Sequence, residues 1–343
     1  MSHPPYTITS TALKLVAAIS EQLATLEATG ALTPDSLSPQ LRRENRIRTI
    51  HASLAIENNT LSLEQVTDII DGKPVLGPPR DIQEVRGAVA AYETLGSWKP
   101  HSLPDLLAAH KLLMHDLVEN PGKLRTGGVG VFQGSKVIHM APPANLVHGH
   151  IENLLQWLKS ADEHPLITSC VFHYEFEFIH PFDDGNGRMG RLWQTLILSA
   201  WKPVLAYMPV ETIVRNRQDE YYASLGQADA QGEATTFIEF MLQALHDTLS
   251  DVQATTQVTT QVTTQVSPHV RRLLVVLEKA DQSAAELMQA LGLRSAKNFR
   301  TTSLTPALNG GFVERTQPDS PRSPTQRYRL TPLGKRILNG DRA

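Results

Sequence analysis

The sequence has a single cysteine, little net charge and no long apolar run. Cys170 is the one cysteine among 343 residues, so an intrachain disulfide is excluded, as is typical of a protein from a reducing compartment. No apolar run approaches the roughly 18 residues of a membrane helix. Residues 1–6 lack the basic patch and apolar stretch of a secretory signal. We therefore expect a cytoplasmic protein that does not enter a membrane.

Composition and charge indicate a globular protein of two or three domains. Hydrophobic residues make up 41% and charged residues 20% of the chain, which excludes collagen, bulk disorder and a disulfide scaffold. The net charge of −3 hides an asymmetry, because residues 268–343 carry 13 Lys and Arg against 6 Asp and Glu. We expect the acidic body and this basic C-terminal part to do different jobs.

A low-complexity repeat separates these two parts. Residues 255–266 read Thr-Thr-Gln-Val three times, and one valine in four cannot form a core face. We predict a linker over 251–267. The alternative is a strand or short helix packed on a neighbour, since Thr and Val favour strands.

Helical patterns dominate the chain before the repeat. Apolar residues recur at helical spacing over 41–57, 61–71, 81–95, 103–118, 145–160 and 166–178. The last of these is apolar on all sides, which predicts a buried central helix. Strand signals are confined to 129–133 and 136–140, which flank a two-residue turn and predict a hairpin.

The basic part, 268–343, has the layout of a winged helix. A helix from Val270 is followed by one that Ser283 caps and Gly292 ends. Ser295 begins another, whose end Pro306 complicates, and two short strands then follow. Lys297, Arg300 and Arg327 fall on the predicted recognition helix and wing and are candidate DNA contacts. Winged helices also dock proteins, so both partners stay open.

The segment around residues 180–191 carries the chemistry. His180 precedes a proline and ends a helix, and Gly185-Asn186-Gly187 forms a tight turn before a helix over 188–200. A glycine loop that opens a helix presents free N–H groups to an anion.

Charged residues complete this candidate site. Arg188 and Arg191 lie on one side of the helix and suit phosphate oxygens, while Asp184 could hold Mg²⁺. His180 could accept a proton from an attacking hydroxyl. Together they indicate phosphoryl or nucleotidyl transfer, the alternative being an ordinary turn. The segment is neither a Walker A loop nor a His-Glu-x-x-His zinc motif.

Residues 180–191, His-Pro-Phe-Asp-Asp-Gly-Asn-Gly-Arg-Met-Gly-Arg, match every specified position of the Fic adenylyltransferase motif, His-Pro-Phe-x-(Asp/Glu)-Gly-Asn-Gly-Arg-x-x-Arg. The resemblance implies a compact all-α fold with this loop between two core helices, and Phe182 as its buried anchor. It implies that His180 activates a Ser, Thr or Tyr hydroxyl of a target protein, or of the chain itself, to attack the α-phosphate of ATP.

The resemblance also implies roles for the neighbouring residues. Asp184 would bind Mg²⁺, and Asn186 with the loop N–H groups of Gly185 and Gly187 would hold the α-phosphate. Arg188 and Arg191 would then neutralise the β and γ phosphates.

Two further segments resemble parts of the Fic fold. The hairpin would be a flap that pairs with an extended target segment through Lys136, Val137 and Ile138; the alternative is a structural hairpin. Tyr221 and Asp229 match positions near the adenine, although paired tyrosines on an amphipathic helix are also typical of a core.

An upstream helix resembles the inhibitory element of some Fic proteins. Ser53-Leu-Ala-Ile-Glu57-Asn58 fits the motif (Ser/Thr)-x-x-x-Glu-(Gly/Asn), and Ser53 and Glu57 share a helix face. The resemblance implies that Glu57 pairs with Arg191 and takes the place of the γ-phosphate. The alternative is a solvated residue at a helix end.

These observations predict a mostly α protein with a Fic-type helical core, a β-hairpin flap and a small C-terminal winged helix. We expect an N-terminal helical region over 1–110, a catalytic core over 111–250, the linker over 251–267 and the winged helix over 268–343. The expected activity is protein adenylylation from ATP with Mg²⁺, in a homodimer. The alternatives are a DNA-binding regulator with a nucleotide-sensing body and an enzyme that removes AMP.

Overall fold

A computed structural model describes residues 3–28, 39–133, 136–262, 267–293, 295–317 and 323–340. The chain divides into two compact units. The first comprises residues 1–22 and 45–249, and the second comprises 23–44 and 250–343. The second unit includes 23–44, a segment that the sequence assigned to the N-terminal helical region.

Helices make up most of the chain before residue 263. Those that precede the hairpin are α1 (Ser10–Ala28), α2 (Pro39–Ile56), α3 (Leu63–Ile70), α4 (Pro79–Thr94) and α5 (Leu103–Leu113). Those that follow it are α6 (Ala144–Ser160), α7 (Pro165–Ile179), α8 (Asn186–Trp201), α9 (Val210–Asn216), α10 (Gln218–Gln231) and α11 (Thr235–Val262). Among the described residues, no helix combines the length and apolar character needed to cross a membrane.

Local sequence signals account for several of these helix starts. Ser62 and Gln65 form a reciprocal capping box at α3. The Ser102 hydroxyl accepts a hydrogen bond from the backbone N–H of Asp105 at the start of α5, where a proline also occupies the first turn.

The centre of the first unit is the packing of α7 against α8. Phe172 and Phe176 of α7 and Trp193 of α8 are fully buried, and α7 also packs on α6. The apolar run over 166–178 is therefore the buried central helix that its composition predicts. This helical core with one hairpin confirms the predicted fold class.

The predicted hairpin is present as an antiparallel pair, β1 (Gly130–Gln133) and β2 (Lys136–Met140). Gly130 lies opposite Met140 and Gln133 opposite Lys136, with a register shift between Val131 and Phe132. A bulge of this kind bends and twists a strand. Residues 134 and 135 of the turn lie outside the described residues.

The Thr-Thr-Gln-Val repeat is helical where the structure describes it, in contrast to the predicted linker. Helix α11 continues through Val262. The physical reason is the absence of a breaker, since the sequence from 235 to 266 contains neither Gly nor Pro. Residues 263–266 lie outside the described part of the chain.

The second unit ends in elements that follow the predicted order. They are α12 (Pro268–Leu277), α13 (Ala284–Ala290), α14 (Ala296–Phe299), α15 (Thr305–Asn309), β3 (Val313–Arg315), β4 (Tyr328–Leu330) and α16 (Pro332–Gly340). Ser283 and Glu286 form the predicted capping box of α13. A π-helical segment, Arg300–Leu304, separates α14 from α15, and β3 pairs antiparallel with β4. The winged-helix assignment stays a prediction.

Two helical glycines should respond to substitution in opposite directions. A Cβ on Gly87 of α4 would lie 2.4 Å from the Leu113 carbonyl oxygen, whereas a Cβ on Gly149 of α6 would meet no heavy atom within 4 Å. We expect Gly87→Ala to lower the free energy of unfolding by about 1–3 kcal/mol, because the Leu113 carbonyl oxygen belongs to the backbone and cannot rotate away from the new methyl group. Gly149→Ala should raise it by about 0.5–1 kcal/mol. Urea unfolding measures both, and changes of the same sign would contradict this packing.

Candidate active site

His180 lies where α7 ends, as its position before a proline predicts. The residue is left-handed, with φ 50° and ψ 61°, and its N–H donates to the Phe176 carbonyl oxygen at 2.9 Å. A residue with a Cβ adopts this conformation at an energetic cost, so the surrounding contacts must hold it. The His180 side chain is half-buried.

The loop after His180 is closed by Asn186. Its Oδ1 accepts the Phe182 N–H at 2.9 Å and its Nδ2 donates to the Phe182 carbonyl oxygen at 2.8 Å. Asn186 is buried, and these two bonds fix the width of the loop. One of its two amide hydrogens is thereby used, and its contact with phosphate stays a prediction.

Phe182 is the buried anchor that the resemblance implies, and its partner is His110 of α5. The two rings stack with centroids 3.6 Å apart. His110 Nδ1 accepts the Gly122 N–H at 2.8 Å, so Nε2 carries the proton and donates to the Asp184 carbonyl oxygen at 3.0 Å. Burial lowers the pKa of His110 to about 4, which keeps this arrangement neutral. His110 could not be predicted from the sequence, because no residue spacing links α5 to a loop 74 residues further along the chain.

Helix α8 begins at Asn186 with an unblocked N-terminus. Gly185, at φ 85°, precedes it and makes no side-chain cap. A Cβ on Gly185 would lie 2.6 Å from the sulfur of Met114, so both the backbone angle and the packing require glycine. The first N–H groups of such a helix have no partner within the helix and favour an anion.

Asp184 and Arg188 belong to a network of charges that includes two residues of α4. Asp184 contacts Arg188 at 3.2 Å and Arg80 at 3.0 Å. Glu84 is buried, contacts Arg188 at 3.2 Å and accepts a hydrogen bond from Asn59 at 2.8 Å. The sequence gives no signal for Arg80 and Glu84, because they lie 104 residues from their partners.

Arg191 is held by α2 and the turn that follows it. Its Nη2 donates to Glu57 Oε1 at 2.7 Å and to the Ser53 carbonyl oxygen at 3.0 Å, and its Nε donates to the Ser53 hydroxyl at 3.0 Å. The side chain of Arg191 is 3% exposed and that of Glu57 is 30% exposed. The predicted pairing of Glu57 with Arg191 is thus present, and Asn58, at φ 67°, ends the helix.

Gly187 leaves the room in which this pair forms. A Cβ at that position would lie 2.5 Å from Glu57 Oε1 and 3.1 Å from Arg191 Nη1. The Glu57 carboxylate therefore lies against the first turn of α8, at the end of the helix where an anion is favoured.

Tyr221 is placed in the core rather than at the surface. It is 1% exposed, and its hydroxyl donates to His173 Nε2 at 3.1 Å, while His173 Nδ1 donates to Gln194 Oε1 at 2.7 Å. The burial of this ring is what the core alternative expects. Asp229 of α10 accepts a hydrogen bond from Tyr174 at 3.0 Å. The adenine contacts of both residues stay predictions.

The other predicted positions lie in the hairpin and in the second unit. Lys136, Val137 and Ile138 lie in β2. In the second unit, Lys297 and Arg300 are exposed, whereas Arg327 pairs with Glu286 at 3.2 Å. One of the three predicted DNA contacts thus forms an exposed ion pair with the glutamate of the α13 capping box.

The loop 180–191 thus brings together a half-buried histidine at a helix end, a carboxylate and two arginines at the start of α8. The sequence matches the Fic/DOC family over residues 100–198 and the Fic-like C-terminal domain, "Filamentation induced by cAMP protein", over 268–331. The structure is similar to that of a Fic family protein from Desulfovibrio desulfuricans G20, with 56% identity and a TM-score of 0.73, over 96% of this chain and 99% of that one. The chain belongs to the Fic family.

More distant relatives are longer proteins. Protein adenylyltransferase fic-1 of Caenorhabditis briggsae is 33% identical over 245 residues, which cover 67% of this chain and 44% of that protein. The chain thus spans less than half the length of this curated relative. A solved Fic-1 fragment from C. elegans, 23% identical with a TM-score of 0.59 over 73% of this chain and 72% of that one, shares the fold.

The buried His173 should make stability depend on pH. Burial lowers its pKa from 6.5 to about 3, so between these values the unfolded state binds more protons and the fold loses stability as pH falls. His173→Gln removes the imidazole that binds this proton. We expect the variant to lose about 2 kcal/mol less unfolding free energy than the parent between pH 6.5 and 5.

Urea unfolding at several pH values measures this difference. The matched control is His148→Gln on α6, whose side chain is 63% exposed. If both variants lose stability with pH as steeply as the parent, His173 does not stay neutral in the fold.

Proposed function

We propose that the chain is a protein adenylyltransferase, which moves AMP from ATP to a Ser, Thr or Tyr hydroxyl of a target protein or of itself. Membership of the Fic family and curated relatives named protein adenylyltransferase support this activity. The observation that carries it is the loop 180–191, which brings His180 at the end of α7 beside the N-terminus of α8.

The reaction follows from the roles of these groups. The His180 imidazole accepts the proton of the target hydroxyl as its oxygen attacks the α-phosphorus of ATP. The bond from that phosphorus to the bridging oxygen breaks, and diphosphate leaves with the electron pair. The N–H groups that begin α8 stabilise charge on the α-phosphate, and Arg188 and Arg191 stabilise charge on the diphosphate.

Asp184 fits a magnesium site of the kind completed by the substrate. Among the described residues, no group of three or more His, Cys, Asp or Glu side chains could hold a metal ion. Mg²⁺ is commonly held by one or two carboxylates together with phosphate oxygens and water. Asp184 lies in the loop 180–191, and its side chain is 43% exposed. The ion would supply charge neutralisation for the phosphates, in competition with Arg80 for the same carboxylate.

Asp184 should therefore link nucleotide affinity to Mg²⁺. We expect Mg²⁺ to tighten ATP binding to the parent, and Asp184→Ala to remove most of that gain, because the carboxylate is lost. Titration calorimetry with and without Mg²⁺ measures it. Asp183→Ala, at the exposed unspecified position of the motif, is the matched control. An unchanged Mg²⁺ response in Asp184→Ala would show that Asp184 does not hold the metal.

We further propose that Glu57 inhibits the enzyme. Its carboxylate accepts a hydrogen bond from Arg191 and lies against Gly187. It is therefore near the N-terminus of α8, where the phosphates would otherwise bind. A carboxylate there competes with the γ-phosphate for the same donor, so ATP is held in a pose that does not favour in-line attack. Arg191 is buried, and charge-assisted pairs of this kind are stronger than exposed ones.

Release of this pair should activate the enzyme. We expect Glu57→Gly to raise auto-adenylylation by about tenfold or more, which corresponds to about 1.4 kcal/mol in the barrier. Glu57→Gly combined with Arg191→Ala should lose the gain, because the freed partner is absent. Incorporation of labelled AMP per molecule over time measures both.

The controls for this experiment separate activation from unfolding. Glu57→Gly combined with His180→Ala should lose at least about 10²-fold of the labelling, because the base is gone. Thermal melting checks that each variant is folded. Equal labelling of parent and Glu57→Gly would contradict the inhibitory role, and labelling that survives His180→Ala would contradict the base.

Removal of AMP from a modified protein would use the same residues and stays the alternative reaction. A DNA-binding role for the second unit stays a prediction carried by the exposed Lys297 and Arg300. We keep a homodimer and a cytoplasmic location as part of this proposal.

A further inference from the structure

Arg125, in the segment between α5 and β1, is a buried cation bonded to backbone carbonyls. It is 2% exposed, and its guanidinium donates to backbone carbonyl oxygens. Burial lowers its pKa, with Asp183 as the charge that opposes this effect. A guanidinium has five donors in a planar fork, so it can satisfy several oxygens that converge on one point.

One set of these oxygens belongs to the end of α7. The Nε of Arg125 donates to the His180 carbonyl oxygen at 2.7 Å, and its Nη2 donates to that of Ile179 at 3.3 Å. Its backbone N–H donates to the Pro181 carbonyl oxygen at 2.9 Å. A single residue therefore holds three successive peptide groups around the left-handed His180, at a helix end that favours positive charge.

The other oxygens flank the hairpin. Arg125 Nη1 donates to the Gly127 carbonyl oxygen at 2.8 Å, and Nη2 donates to the Pro142 carbonyl oxygen at 2.6 Å. These residues lie just before β1 and just after β2. The same guanidinium thus joins the backbone of His180 to both roots of the hairpin.

We propose that Arg125 is a positioning residue for adenylyl transfer, which holds His180 in register with the hairpin that the family resemblance predicts as the flap for the acceptor segment. This inference rests on the proposed function. The ligands of phosphate lie on α8, and none of the hydrogen bonds of Arg125 reaches that helix. Loss of Arg125 should therefore slow transfer without weakening ATP binding.

The experiment uses the whole 343-residue chain. The Glu57→Gly variant is the parent, and Arg125→Ala or Arg125→Lys is added to it. We expect kcat for AMP transfer to fall by about 10²-fold in both variants, because a misplacement of about 1 Å costs that much. The Kd for ATP, measured by calorimetry, should stay within about twofold of the parent. Arg86→Ala, an exposed arginine of α4, is the matched control and should change neither quantity.

Chemical rescue separates positioning from general damage. Methylguanidinium should restore part of the rate of Arg125→Ala, because it supplies the planar fork, whereas methylammonium should not. Rates equal to the parent, a loss of ATP affinity that matches the loss of rate, or equal rescue by both cations would each overturn the proposal.

Amide exchange gives a readout that needs no activity. In Arg125→Lys we expect faster exchange at the amides of His180 and Ala141, which donate to Phe176 and Val129, with little change in the interior of α8. If Arg125→Ala does not fold, this variant carries the test. If the Glu57→Gly parent itself transfers no AMP, the proposed function fails, and unchanged exchange in both segments overturns the positioning role separately.

Discussion

The packing of α7 against α8 is the contact on which the rest of the protein depends. Both helices are buried at their facing surfaces, so the short loop between them has fixed end points. The end of α7 carries His180 and the start of α8 carries free N–H groups, and the loop brings these opposite helix ends together. Asn186 and Phe182 then set the width of the loop, and His110 supports it from α5.

Charge in the site is balanced by carboxylates from the N-terminal part of the chain. Arg191 is paired with Glu57, and Arg188 is paired with Glu84. Each carboxylate compensates a guanidinium that burial would otherwise penalise. Under the proposed function, the phosphates of ATP would replace these carboxylates, so ATP affinity would reflect the difference between two sets of ion pairs rather than the strength of either one.

Much of the fold and of the loop could be predicted from the sequence, since these features depend on neighbours along the chain. Apolar spacing indicated α7, and the proline after His180 with the glycines that follow predicted the loop. Glu57 and Arg191, 134 residues apart, were joined only through the family resemblance. Arg80, Glu84, His110 and Arg125 were missed, because their partners in the loop 180–191 lie 55 to 104 residues away and no spacing rule connects them.

Two other features of the structure could not be decided from the sequence pattern. The repeat over 255–266 lacks the apolar face that a helix usually shows, yet α11 extends into it because nothing there breaks the helix. Tyr221 lies on a helix whose pattern allowed either face to be buried. Its ring is buried and its hydroxyl contacts His173 of α7, a partner that the sequence pattern could not identify.

The space beside Gly187 ties the ion pair to the backbone of the loop. A Cβ there would meet the Glu57 carboxylate and the Arg191 guanidinium, so both side chains would have to shift before the pair could form. A substitution at Glu57 would instead remove the pair and leave the bonds of Asn186 that close the loop untouched. The pairing can therefore change through the turn after α2 without any change in the loop itself.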